Sequence, residues 1–182
     1  AEEEQRRGRL PSDMEFIRRA DIGEPRKVVG YLESRGVPTD GAVMMVGNGF
    51  HEIRDQNRDK MTEVFAGYER AGFVILFTEE TALADRDLIA TGWNTYHAGF
   101  RSVHELSGQG LRPSGGEGLR GRWSWRRCAT AGGYLVLDDY CYRSRTIYPF
   151  RRPDGRNPAI SMSYFCVPRR LAEELGLQAR PD

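Results

Sequence analysis

Two apolar runs, each followed by a polar segment and then a helical pattern, constrain this chain more than any other feature. They are Gly41–Val46 and Phe73–Phe77, and two long β-type runs, Tyr134–Tyr142 and Ala159–Val167, follow later with no helix between them. Strands joined by helical crossovers are parallel, whereas strands joined by a turn pair in antiparallel fashion. The sequence therefore predicts an α/β fold: a Rossmann-like, mostly parallel sheet with helices on both faces and an antiparallel C-terminal hairpin at the sheet edge.

Length and composition indicate one globular domain over residues 1–182. The formal net charge of +1 offers no general attraction for nucleic acid or for an anionic membrane. No run approaches the roughly 18–20 apolar residues of a membrane helix, and the charged N-terminus lacks the apolar core of a signal peptide. The three cysteines are odd in number and show no metal spacing, as in a reducing compartment. We therefore expect a cytoplasmic protein without membrane contact and without a nucleic-acid partner.

The remaining segments are assigned by hydrophobic periodicity and by the Gly and Pro residues that interrupt it. The prediction is a short strand at Met14–Arg18 and helices that begin at Glu24-Pro25, span about Asp55–Ala71, fall within Thr81–Leu106, span Trp123–Ala131 and end the chain at Arg169–Leu175. The Gly-rich stretch 107–122 reads as a mobile loop. The predicted order is β-α-β-α-β-α-α-β-β, with the first three strands parallel.

Polar residues follow both apolar strands, where open α/β sheets bind their ligands. The first strand leads into Gly47-Asn48-Gly49-Phe50-His51-Glu52 and the second into Thr78-Glu79-Glu80. His51 follows two glycines and titrates near neutrality, so it is a candidate general base. It is equally well explained as a residue that shapes a pocket or caps the next helix.

The acidic residues of these segments have alternative explanations. Glu52 is a neighbour of His51 in sequence, and an acid at this point is typical of the start of a helix. Glu79 is a candidate to bind a cationic substrate group or a metal. An exposed helix N-terminus capped by Thr78 is the reading that the sequence favours.

Three residues further along are candidates to line a substrate pocket: Tyr96, His97 and His104. His97 and His104 are seven residues apart, which is two turns and one face of a helix. Zinc sites on helices usually use a spacing of four. The sequence therefore favours structural or pocket-lining roles and predicts no metal site.

The order of elements resembles the C-terminal two-thirds of a class I S-adenosylmethionine-dependent methyltransferase. The matching features are an acid, Asp21, at the end of the predicted Met14 strand, the loop 47–52 after the next strand, and Gly72 just before Phe73. The resemblance also covers the closing helix, glycine and hairpin.

The resemblance implies methyl transfer from S-adenosylmethionine to a small-molecule or carrier-bound acceptor, with His51 as the catalytic residue. It implies cofactor contacts for Asp21, Ile22, Gly47, Asn48 and Gly49, and substrate contacts for Glu79, Tyr96, His97 and His104.

One part of the family pattern is missing. The glycine-rich G-x-G-x-G cofactor loop, and the acid that ends the second strand of the family, have no counterpart here. The strand at Gly41 would then keep an uncovered apolar edge, which favours aggregation. We therefore expect that the chain is a fragment or one part of a split protein, and that a missing N-terminal segment or a partner chain covers this edge.

Two other functions fit the same sequence. One is a non-catalytic Rossmann-like module that acts through protein contacts, which the missing cofactor loop favours. The other is a different α/β enzyme, such as a hydrolase, that uses His51 and Glu79.

Overall fold

The fold is known from a computed structural model that describes residues 1–82, 99, 102–104, 106–107, 109–113, 123–146 and 159–178. The described part contains one sheet of five strands. They are β1 (Val43–Gly47), β2 (Val74–Glu80), β3 (Tyr134–Val136), β4 (Tyr142–Thr146) and β5 (Ala159–Pro168).

The sheet combines one parallel pair with an antiparallel C-terminal hairpin. Its order is β1-β2-β5-β3, and β4 pairs with the same edge of β5 as β3. β1 and β2 run parallel, with Val43 opposite Val74 and Met44 opposite Ile75. β5 is antiparallel to β2. The expectations of a parallel β1–β2 pair in one layer and of a terminal hairpin are therefore confirmed.

Helices occupy most of the predicted helical segments within the described residues. They are α1 (Glu2–Arg6), α2 (Pro25–Ser34), α3 (Arg58–Arg70), α4 (Trp125–Ala131) and α5 (Arg169–Glu174). Asn57 caps α3 by accepting the Lys60 N–H at 2.7 Å, and Ser124 caps α4 by accepting the Arg127 N–H at 3.1 Å. Such caps satisfy backbone donors at a helix start, so local sequence fixes where these helices begin. None of the described helices has the length and apolar character to cross a membrane.

The predicted strand at Met14–Arg18 is wrong. These residues form no regular element. The Gln5 side-chain amide donates to the carbonyls of Pro11, Ser12 and Met14, so a helix side chain rather than a neighbouring strand binds this backbone. The set of three parallel strands is therefore reduced to two. The prediction of a mostly parallel sheet is also wrong for the described strands, since only the β1–β2 pair is parallel and the other three pairs are antiparallel.

Two further predictions about the strands need correction. The run Tyr134–Tyr142 is split by a 3₁₀ turn at Asp138–Tyr140, where the Tyr140 N–H bonds back to Leu137. Aspartates are disfavoured in strands, which accounts for the break. Glu79 does not start a helix, because β2 continues to Glu80 in register with β5.

The core lies on one face of the sheet, which we call the covered face. Phe77 is its centre, with ring centroids 5.3 Å from Phe50, 5.6 Å from Phe65 and 4.7 Å from Tyr164. α3 and α4 supply its outer layer.

The opposite face, which we call the open face, is only partly packed by the described residues. α5 buries Val74 and Val167 at one end, but Val43 and Met45 of β1 are 61% and 76% exposed. Within the described residues β1 pairs with β2 alone. The expectation of helices on both faces is thus met on one face and at one end of the other.

Candidate functional site

A sharp turn at the end of β1 builds the first half of the site. Asn48 has a φ of 52°, a left-handed conformation that Asn tolerates better than most residues, and its N–H donates to the Thr78 carbonyl at 2.8 Å. A Cβ atom at Gly49 would lie 2.9 Å from Cγ1 of Val46, so any larger residue there would force the buried Val46 side chain to move. The chain then enters a 3₁₀ turn over Phe50–Glu52.

A buried glutamate from β2 holds this turn in place. Glu79 is fully buried, and its Oε1 accepts the Phe50 N–H at 2.6 Å. Its Oε2 lies 2.7 Å from Nδ1 of His51, which donates to it because a carboxylate only accepts. This bond fixes the orientation of the imidazole and places the chemistry at the other ring nitrogen, Nε2.

The second ring nitrogen of His51 meets another carboxylate. Nε2 lies 3.1 Å from Oε1 of Glu52, whose side chain is 59% exposed. Burial acts to lower the pKa of His51, but the hydrogen bond and charge of Glu79, together with Glu52, raise it overall above its ordinary value. The site therefore favours a positive charge at this imidazole, carried by a proton or by another cation.

A second histidine and an amide complete the polar cluster. The ring of buried His104 lies with its centroid 5.1 Å from that of His51. Gln109 donates to Oε2 of Glu52 at 2.5 Å, so Glu52 is held from the side opposite His51. One ligand atom from each of His51, Glu52 and His104 lies within 4.8 Å of the others.

The residues predicted to contact a cofactor lie directly beside this cluster. Oδ1 of Asp21 accepts the Gly23 N–H at 2.8 Å, and the Ile22 carbonyl accepts the Tyr68 hydroxyl at 3.0 Å. A Cβ atom at Gly49 would lie 3.9 Å from Cδ1 of Ile22. The irregular segment before α2 is therefore packed against the loop after β1, although no strand brings it there.

A cleft of about 530 Å³ lies between these two segments. Its lining includes Asp21, Ile22, Glu52, Ile53, Arg54 and Lys60. The volume falls within the range of roughly 300–1,000 Å³ that is typical of small-molecule sites. The cleft and the polar cluster are neighbours, since Glu52 belongs to both.

Two buried residues that the sequence did not single out support the site. Gln56 donates to the Phe50 carbonyl at 2.5 Å and accepts from Nε of Arg112 at 3.1 Å. Arg112 is itself fully buried and also donates to the carbonyls of Asn57 and Trp123, each at 3.0 Å. No local pattern marks Arg112, because it belongs to the stretch 107–122 that reads as a mobile loop.

The structure thus brings together most of the predicted site residues. His51, Glu79 and His104 form one cluster, and Asp21, Ile22 and the Gly47–Gly49 turn lie next to it. Tyr96 and His97, like most of Thr81–Leu106, lie outside the described residues. The burial of Glu79 was foreseeable, since Ile75, Phe77 and Glu79 alternate onto one face of β2.

Comparison with known proteins adds no relative, since no protein-family model, no curated protein and no solved structure matches the chain. The function has to be argued from the site.

Proposed function

We propose that this chain is the catalytic part of an S-adenosylmethionine-dependent methyltransferase that acts on a small-molecule or carrier-bound acceptor. The observation that supports it best is the position of His51, anchored to Glu79 at the carboxyl ends of β1 and β2 and next to a cleft of about 530 Å³. Open α/β sheets bind ligands at this edge.

The cleft suits an adenosyl group in size and in polar character. Asp21 uses Oδ1 for the Gly23 N–H, and Oδ2 makes no hydrogen bond with the described residues. A carboxylate oxygen is a natural acceptor for the amino group of adenine. Ile22 and Ile53 flank it with apolar surface on which a flat base can pack.

When bound, the sulfonium compound supplies an electrophilic methyl group, which an acceptor atom attacks in line as the carbon–sulfur bond breaks. The protein's task is then to hold the acceptor and to receive its proton. His51 receives that proton at Nε2, and Glu79 stabilises the resulting imidazolium through Nδ1. Nε2 becomes accessible to the acceptor when Oε1 of the exposed Glu52 side chain turns away from it, a movement that the hydrogen bond from Gln109 to Oε2 would have to follow.

The first experiment measures binding of S-adenosylhomocysteine by calorimetry, on the chain itself and on the full product of its gene. We expect Asp21→Asn to bind S-adenosylhomocysteine more weakly than the unchanged chain. The control Glu33→Gln, at an exposed site, should bind it as the unchanged chain does. Absence of binding in both proteins would remove methyl transfer from consideration.

The second experiment separates catalysis from cofactor affinity. His51→Ala should lower the rate of methyl transfer by roughly 10²–10⁴-fold, which is typical of a lost general base, while S-adenosylhomocysteine binds nearly as before. An unchanged rate would show that His51 takes no part in the reaction.

A hydrolase is the second candidate, because a histidine bonded to a buried carboxylate also activates water. The two functions differ in one simple observable. A hydrolase turns over without any methyl donor, and its rate would fall in both His51→Ala and Glu79→Gln.

A further inference from the structure

We infer that His51, Glu52 and His104 form a binding site for one divalent transition-metal ion. One ligand atom of each side chain lies within 4.8 Å of the other two, and Glu52 also lines the neighbouring cleft. The sequence indicates no metal here, because His51 and Glu52 lie 53 and 52 positions before His104 and meet it only through the fold.

The distances suit a site that contracts slightly around an ion. Metal–ligand bonds of roughly 2.0–2.2 Å place neighbouring ligand atoms about 3.0–3.5 Å apart. Nε2 of His51 and Oε1 of Glu52 are already at 3.1 Å. The Glu52 side chain is 59% exposed and has room to adjust around its hydrogen bond with Gln109, whereas both imidazoles are buried.

The surroundings of the three residues are those of an organised metal site. Histidine ligands commonly donate their other ring nitrogen to a carboxylate, which orients the ring and increases its basicity. Glu79 makes this contact with His51 at 2.7 Å. Gln109 holds the second oxygen of Glu52 at 2.5 Å, so each of these two ligands has a supporting residue behind it.

The donor set selects the class of metal. Two imidazoles and one carboxylate suit Zn²⁺, Fe²⁺, Co²⁺ and Mn²⁺, whereas Mg²⁺ and Ca²⁺ prefer oxygen ligands alone. The described residues supply three ligands, and a set of three leaves at least one coordination position for water or substrate, as in catalytic rather than structural zinc sites. Glu52, one of the three, also lines the cleft.

A metal at this position changes the role of His51 without changing where the reaction occurs. The role of Nε2 as a proton acceptor that we proposed above applies to the protein without the ion. With the ion bound, Nε2 would be a metal ligand, and an acceptor hydroxyl bound to the metal would lose its proton more readily. Metal binding does not depend on the proposed methyl transfer. The two hypotheses can therefore be tested separately. Titration with Zn²⁺ in the absence of a methyl donor tests the metal site, and titration with S-adenosylhomocysteine after treatment with a chelator tests methyl transfer.

The test begins with the chelator-treated chain, titrated with Zn²⁺ by calorimetry and with Co²⁺ by visible absorption. We expect one ion per chain and a Co²⁺ spectrum typical of nitrogen and oxygen ligands. Glu52→Gln and His104→Gln each remove a ligand and should weaken Zn²⁺ binding by about 100-fold or more. Glu79→Gln and Gln109→Ala change residues that support the ligands and should weaken it less, by roughly 10–100-fold.

Glu52→Gln is the decisive variant because its side chain is exposed, so the fold does not depend on it. Glu63→Gln on the exposed surface of α3 makes the same chemical change away from the cluster and should bind Zn²⁺ like the unchanged chain. The inference is overturned if the chain does not bind one Zn²⁺ saturably, or if Glu52→Gln and His104→Gln bind as the unchanged chain does. Equal weakening in Glu63→Gln would also overturn it, because binding would then be a general surface effect.

Discussion

The two faces of the central sheet are built from the same strands but have different environments. On the covered face, Phe77 is enclosed by rings from β5, α3 and the loop after β1. On the open face, Val43 and Met45 of β1 have apolar side chains that are mostly exposed. Alternation along a strand puts these two environments one residue apart.

The difference shows why the polar cluster belongs to the covered face. Glu79 follows Ile75 and Phe77 on that face, so its carboxylate is buried where the core ends and the loop after β1 closes over it. A charge there has protein partners rather than water, and electrostatic interactions are stronger in such surroundings. The open face carries an apolar surface at β1 but no comparable arrangement of buried charge among the described residues.

The largest contrast is expected from truncating one apolar side chain on each face. Phe77→Ala should lower the free energy of unfolding by about 3–5 kcal/mol, because it leaves a cavity among four aromatic rings. Met45→Ala should change it by about 0.5 kcal/mol or less, as for other exposed positions. Urea unfolding of both variants measures the difference. A large loss in Met45→Ala would mean that this face is covered in solution.

A smaller contrast is expected between two neighbouring glutamates that face opposite sides of β2. Glu79→Gln removes the charge that binds His51 and the Phe50 N–H, and should cost about 2–3 kcal/mol in the free energy of unfolding. Glu80→Gln, one position along on the open face, should cost less than Glu79→Gln, because Glu80 is half-buried whereas Glu79 is fully buried. Equal effects in the chelator-treated protein would contradict the distinction between the faces.

The parts of this fold that follow from local patterns could be predicted from the sequence. The apolar runs at β1 and β2, the glycine before β2 and the periodicity of α3 each depend on residues close in the chain. The hairpin partner of β5 was predicted as one strand, but Asp138 and Asp139 interrupt it with a turn. Continuing the alternation of β2 beyond Phe77 places Glu79 on the core face. The residues Thr78-Glu79-Glu80 also resemble the start of a helix, which is why the sequence favoured that interpretation.

The parts that depend on distant contacts could not be predicted. The segment before α2 contacts the loop after β1 through Ile22, and the Ile22 carbonyl accepts the hydroxyl of Tyr68 from α3. No strand in the sequence pattern predicts either contact. Arg112 and Gln109 lie in a Gly-rich stretch that reads as a loop, yet they bond to Gln56 and Glu52 more than 50 positions away. His51 and His104 meet for the same reason, so no spacing rule reveals their cluster.

An alkaline titration distinguishes the covered face by its buried hydroxyls. Burial raises the pKa of Tyr134, whose hydroxyl donates to the Phe73 carbonyl at 3.0 Å. In the unfolded chain tyrosine ionises near pH 10. The contribution of the buried, protonated hydroxyl to the free energy of unfolding is therefore complete below about pH 10 and falls by about 1.4 kcal/mol per pH unit above it. Below about pH 10 we expect Tyr134→Phe to have a lower free energy of unfolding than the unchanged chain. Urea unfolding should show this difference disappearing between about pH 10 and 11.

Phe65→Leu is the matched control for the alkaline titration. It perturbs the same face without removing an ionisable group, so its effect on the free energy of unfolding should be constant with pH. If the difference in free energy of unfolding between Tyr134→Phe and the unchanged chain is also constant with pH, the Tyr134 hydroxyl reaches water in the folded protein. The covered face would then be open to solvent at this position.

The smallest effect is expected for a pair of hydroxyl groups on the open face, and it reports how readily water reaches them. Thr78 and Ser163 face each other across β2 and β5 on that face, with their hydroxyl oxygens 2.7 Å apart. Ser163 is buried and Thr78 is half-buried. A double-mutant cycle with Thr78→Val and Ser163→Ala should give a coupling of about 0.5–1 kcal/mol, the usual range for a cross-strand hydroxyl pair. A coupling near zero would indicate that water replaces the bond freely. A coupling well above this range would indicate that another part of the protein, or a partner, keeps water away from this side of the sheet.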